Sequence, residues 1–229
     1  LIVAEALTYL ERLSHDPAGD DALRLDLARA YHRIGDVQGM PSAANLGDRA
    51  GARQSYERGL EVLRPVGDPA LAHDAGVELV RLDLALASVL GSRDSNTRPR
   101  IDEAMQSADR LVHLSPADDA ARRLLASTHF QLALTLTGPD ALAEWKKTGE
   151  IFEALLAKQP DDADRQRNVA LVQKYIANQY EAASDNASAL PYYLRALALD
   201  RQRATADPAN RLARFDVAVD LSSTGHAKR

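Results

Sequence analysis

The chain has 229 residues, of which 41 are Ala and 33 are Leu, while aromatic residues make up only 5% and Gly and Pro together number 22. Ala and Leu favour helix, and a β-sandwich or barrel needs β-branched and aromatic strands broken by frequent glycine turns, so the composition points to an all-α protein and excludes an all-β one. With 28 basic and 33 acidic side chains the net charge is −5 and no long run of one sign occurs, which leaves bulk binding to nucleic acid or anionic lipid without an electrostatic drive.

Apolar residues at helical spacing predict ten helices, over residues 2–14, 20–37, 48–64, 69–91, 99–114, 117–137, 140–158, 161–182, 187–205 and 208–224. The chain opens Leu1-Ile2-Val3-Ala4-Glu5, without an initiator Met and already amphipathic, so it is expected to be a piece of a longer protein. Along it an apolar–Ala pair recurs at Leu27-Ala28, Leu84-Ala85, Leu125-Ala126, Val169-Ala170 and Val217-Ala218, with the alanines 57, 41, 44 and 48 residues apart. A proline stands before each pair, at Pro17, Pro69, Pro116, Pro160 and Pro208, and four of them follow Asp16, Asp68, Ser115 or Asp207, the pattern of a helix start. A second set of helices carries small and bulky residues on one stripe: Ala52, Tyr56, Gly59 and Leu60; Ala104, Ala108, Leu111 and Val112; Ala189, Tyr193, Ala196 and Leu197. Small residues let two helix backbones approach where they cross, and Leu or Tyr fills the layer between. The unit is therefore a helical hairpin of a helix A, with the apolar–Ala pair, and a helix B. The first predicted helix is a lone B and the last a lone A. About five antiparallel pairs stacked as a right-handed α-solenoid, one domain over 1–229, are expected, with Phe215, Val217, Ala218 and Leu221 of the last helix left without a following partner.

The turn from the first A to its B helix runs from Gly35 to Asp48, longer than a helical hairpin needs. Gly39 and Pro41 are expected to stop the first helix, Asn45 and Gly47 to take positive φ, and Asp48 to cap the next helix. Leu27-Ala28-x-Ala30-Tyr31-x-x-x-Gly35-Asp36, followed by Ala52, Tyr56 and Gly59, resembles the tetratricopeptide repeat, in which Gly-Asp marks the turn, although that family's period of 34 is shorter than the intervals here and its early Trp is Arg24. Residues 25–63 are similar to tetratricopeptide segments that follow the catalytic domain of bacterial serine/threonine protein kinases. That resemblance implies a superhelical interaction scaffold, the non-catalytic regulatory region of such a kinase, in the cytoplasm or in the extracytoplasmic part of a membrane-anchored parent.

No Walker loop, G-x-G-x-x-G, G-x-S-x-G or H-E-x-x-H occurs, so no enzyme and no cofactor are expected in this segment. There is no cysteine for a disulfide, a thiolate or a zinc site, and no apolar stretch approaches the 18 residues of a membrane span. The six histidines never fall at i, i+4, and Asp20-Asp21, Asp118-Asp119 and Asp161-Asp162 read as helix caps rather than a metal site. A peptide or partner protein would lie along the inward faces of the A helices, for which the expected contacts are Arg29, His32, Arg33, Arg123, Phe130, Gln131, Arg167, Lys174 and Tyr175. The basic members, with no acid among the inward positions, favour an acidic or C-terminal peptide. Two rival readings are self-association through the open ends, by Phe215 and Leu221, and a small-molecule sensor with its pocket at Leu82 and Leu86.

Overall fold

The computed structural model describes residues 2–14, 20–41 and 43–228. Among them the chain forms ten α-helices and no strand: α1 (Ile2–Ser14), α2 (Asp21–Gly39), α3 (Arg49–Leu63), α4 (Ala72–Leu90), α5 (Thr97–Leu114), α6 (Asp119–Ala133), α7 (Gly138–Lys158), α8 (Ala163–Ala182), α9 (Asn186–Ala206) and α10 (Arg211–Ala227). A single 3-10 turn, Pro69–Leu71, precedes α4.

The prolines lie just outside the helices they announce. In Ser115–Asp118, Gln159–Asp162 and Asp207–Asn210 the amide of the fourth residue donates to the carbonyl of the first, at 3.0, 3.2 and 3.1 Å, so proline occupies the second position of a turn, where its fixed φ fits. The fourth residue then becomes the cap. Asp118 accepts from Ala120 N, Asp162 from Asp164 N and Arg165 N, and Asn210 from Ala213 N. Helix starts near 117, 161 and 208 are thereby corrected by two or three residues. Pro17 with Asp16 and His15 lies outside the described residues. The sixth helix also stops four residues early, because the amides of Thr135 and Leu136 turn back three residues and the Thr135 hydroxyl bonds the Leu132 carbonyl.

Two compact units divide the chain, Leu1–Gln131 and Leu132–Arg229. In the first, α1 packs on α2, α2 on α3, α3 on α4 and α4 on α5, and α2 also touches α4. Ala28, Ala52, Tyr56, Leu60 and Leu82 form its main core, and Val80, Ala104, Ala108, Leu111, Ala121 and Leu124 a second one. The small residues act where helices cross: a Cβ at Gly59 would sit 2.9 Å from Leu82 Cδ2 and 3.4 Å from the Ala28 carbonyl oxygen. Gly35 and Asp36, which the tetratricopeptide resemblance placed in a turn, lie within α2. A Cβ at Gly35 would stand 2.4 Å from the Tyr56 ring, so glycine makes the seat for that ring, and the Tyr56 hydroxyl donates to Asp36 Oδ1 at 2.8 Å. Helix α2 does end at Gly39, Gly47 takes φ +78°, and Asp48 caps α3 through Gly51 N. Asn45 keeps negative φ. Its side chain instead donates to the Met40 and Ala43 carbonyls and accepts from Gly47 N, which ties the loop together.

In the second unit α7 packs on α8, α8 on α9 and α9 on α10. Ala177, Ala189, Tyr193 and Ala227 form a core of small residues around one ring, and Trp145 stacks on Tyr175 with centroids 4.2 Å apart. Of the five alanines marked in the sequence, Ala28, Ala85, Ala126 and Ala170 are buried and Ala218 is exposed; α10 turns Ala213 inward instead.

Candidate functional site

Polar rungs link successive A helices. From α2, Arg29 Nη2 donates to Asp74 Oδ2 on α4 at 2.8 Å, which holds the Asp74 carboxyl below its ordinary pKa. One turn on, His32 Nδ1 meets the buried Glu78 Oε1 at 2.6 Å, and its ring stands edge-on to Tyr56. From the start of α4, His73 Nε2 reaches Asp118 Oδ2 before α6 at 3.0 Å, and that hydrogen bond raises the His73 pKa. In the second unit Lys174 Nζ on α8 lies 2.9 Å from Asp200 Oδ2 on α9 and 3.1 Å from Asp220 Oδ1 on α10. Asp200 also bonds Arg203, which lies 3.2 Å from Asp216 Oδ2.

Half of the bases expected along this wall are therefore paired. Arg29, His32 and Lys174 each hold a carboxylate from a neighbouring helix, and the acids that supply it, Asp74, Glu78, Asp200 and Asp220, were not among the inward positions expected from sequence. The register of α4 explains half of the miss. The residues at the aligned turns of α4, Leu82, Leu86 and Val89, are buried in the core, and the earlier turns of α4 present Asp74, Glu78 and Arg81 toward α2 and solvent. The signal for the other half was an acid in the middle of an apolar stripe, Leu197-x-x-Asp200-x-x-Arg203, which is costly unless paired. Arg33, Arg123 and Arg167 behave differently: each is exposed on its A helix and has no carboxylate partner among the described residues. Phe130 and Gln131 are half-buried on α6, and Tyr175 is half-buried against Trp145.

Two open clefts lie in the first unit. One of about 310 Å³ between α1, α2 and α3 is lined by Glu11, Gln38, Ser55, Glu57 and Arg58 among others. The other, about 270 Å³, has Leu60, Leu86 and Leu90 as its floor and Arg53, Arg64 and Arg100 on its rim. Leu82 is sealed in the core and Leu86 shows only an edge to this second cleft, so the pair does not wall a pocket of the kind expected for a small-molecule sensor. Among the described residues no group of three His, Cys, Asp or Glu side chains could hold a metal ion, and no helix is long and apolar enough to cross a membrane. The chain matches no protein-family model and no curated protein.

Proposed function

We propose that this chain is a protein–protein interaction scaffold, a right-handed α-solenoid of tetratricopeptide-like hairpins whose A helices hold an acidic peptide or partner segment. One observation carries the reading: Arg33, Arg123 and Arg167 are exposed on A helices without a carboxylate partner among the described residues, whereas Arg29, His32 and Lys174 are each held by an acid. Burial of Ala28, Tyr31, Ala52 and Tyr56 in one α2–α3 pair supports its hairpin element. On the resemblance of residues 25–63, the setting proposed for the scaffold is the regulatory region of a bacterial serine/threonine protein kinase.

The arginine fork bonds a carboxylate through two parallel N–H groups, and the rungs on either side limit how the helices that carry it can shift. Partly exposed pairs contribute about 0.5–1 kcal/mol each, so three together correspond to roughly a 10- to 100-fold change in affinity. A fluorescein-labelled, extended Asp/Glu-rich peptide, titrated against the intact chain and read by anisotropy, provides the test. The R33A/R123A/R167A variant is expected to bind it at least about tenfold more weakly while its circular dichroism is unchanged, and the Asn/Gln version of the peptide is expected not to bind. Equal affinity of wild type and triple variant would remove the proposal.

A further inference from the structure

The cleft of about 310 Å³ between α1, α2 and α3 has two unanswered polar groups in its floor. The Ser55 hydroxyl donates to Gln38 Oε1 at 2.6 Å, which fixes the amide and leaves Nε2 against Gly51, where a Cβ would stand 2.4 Å from it. The Tyr31 ring packs with Leu10 and Leu27, so its hydroxyl is the part that reaches the cleft. Tyr31 is 1% and Gln38 4% exposed, yet neither the Tyr31 hydroxyl nor Gln38 Nε2 has a hydrogen-bond partner among the described residues. Neither atom is sealed from solvent, and both residues line the cleft. At i, i+7 they share one stripe of α2, on the side of the helix away from Arg29 and Arg33.

Above this floor the lining carries Glu11, Glu57 and Glu61 against the single base Arg58. Glu57 Oε1 accepts from Arg53 at 2.8 Å and Glu61 Oε2 from Arg58 at 2.7 Å, and the second oxygen of each has no hydrogen bond among the described residues. Acids stay in excess even with Arg53 counted, so the cleft disfavours an anion. The amide N–H of Gln38 can only donate, so its ligand must bring an acceptor oxygen that is neutral, while the carboxylate oxygens call for donors. A space of about 310 Å³ is at the small end of ligand pockets and suits a single ring rather than a helix. We propose that this cleft binds a small hydroxylated amine of the amino-sugar class, its ammonium against Glu57 and Glu61 and its hydroxyl oxygens accepting from Gln38 Nε2 and Tyr31. The inference uses none of the arginines of the A-helix reading and stands apart from it.

The probe is glucosamine at about pH 6.5, where its amine is protonated, titrated against the intact isotope-labelled chain and followed by amide NMR. Glucose and glucuronate serve as twins that keep the ring hydroxyls and lose or reverse the charge. The side-chain amide resonances of Gln38 are expected to move saturably with glucosamine, at a Kd of about millimolar order, and glucose to bind about threefold and glucuronate about tenfold more weakly. Tyr31→Phe, which keeps the buried ring, and the surface pair E57Q/E61Q are each expected to weaken glucosamine by about threefold or more with helix content unchanged, and E57Q/E61Q to leave glucose as it was. R33A/R123A/R167A is expected to leave all of this binding intact. Absence of a saturable shift at Gln38, equal binding of glucosamine and glucuronate, or indifference to Tyr31→Phe overturns the proposal. So does tighter binding of a Gly-Lys-Gly peptide than of glucosamine, which would give the cleft to a basic side chain of another protein.

Discussion

Asp83 offers the sharpest test of the energetics. It sits on α4, 2% exposed, with Arg100 Nη1 of α5 at 3.2 Å, and Arg100 is itself shared with Glu103. Burial outweighs the guanidinium and pushes the Asp83 carboxyl up to about 7 from an ordinary 3.8. Because the folded value is raised, the native state holds a proton that the unfolded chain releases earlier. The resulting stability is fully present below the ordinary carboxyl range and is lost as pH rises through about 7. The rise from 3.8 to about 7 corresponds to about 4 kcal/mol over the whole range, and to about 3 kcal/mol between about pH 5 and about pH 8.5. Asp83→Asn keeps the shape and an acceptor for Arg100 but cannot ionise. Relative to wild type, it is therefore expected to gain about 3 kcal/mol between those two pH values in urea denaturation followed by circular dichroism, with slower amide exchange in α4 and α5 at the higher pH. A difference between variant and wild type that is the same at both pH values would refute the argument, since it would mean that Arg100 keeps the carboxylate charged throughout.

Three other perturbations follow from the packing and the rungs. Lys174→Met leaves Asp220 without a cation within ion-pair distance, and removing one partner of a buried pair costs about 3–5 kcal/mol; α10 is expected to lose amide protection in hydrogen exchange, and adding Asp220→Asn to restore part of it. Gly35→Ala drives a methyl into the Tyr56 ring and is expected to cost about 1–3 kcal/mol in a urea melt, although alanine is the better helix former. The proton NMR titration of His73 is expected to lie above the ordinary histidine value and to fall toward it in Asp118→Asn, with Asp74 still raising it; its raised pKa makes the α4–α6 rung strongest below the ordinary value and lost as pH rises through the folded one.

What could be read from the sequence was local. Ten helices followed from a 3.6-residue period, and the crossings at Ala28, Ala52 and Gly59 from the fact that a missing side chain is visible in the sequence as such. Caps at Asp20, Asp48 and Asp162 were legible for the same reason, since each satisfies amides within three residues of itself. The candidate partner-binding residues were placed on the A helices, but their electrostatic state was not legible, because it depends on which residue of the next A helix lies opposite.

That dependence explains how the register of α4 was lost. An amphipathic helix shifted by about three turns presents nearly the same face, so aligning Leu27-Ala28 with Leu84-Ala85 matches core to core and still misplaces everything between. The rungs measure the offset directly: Arg29 with Asp74, His32 with Glu78, His73 with Asp118 and Lys174 with Asp220 are all 45 or 46 residues apart, a narrower spread than the 41 to 57 of the alanine pairs. Apolar contacts tolerate slippage because any methyl can fill a gap of the right size, whereas a carboxylate and a guanidinium must meet at about 3 Å to compensate their desolvation. In this chain the alanines and glycines let neighbouring helices approach, while the ion pairs fix how far α4 is displaced along α2, α6 along α4 and α10 along α8.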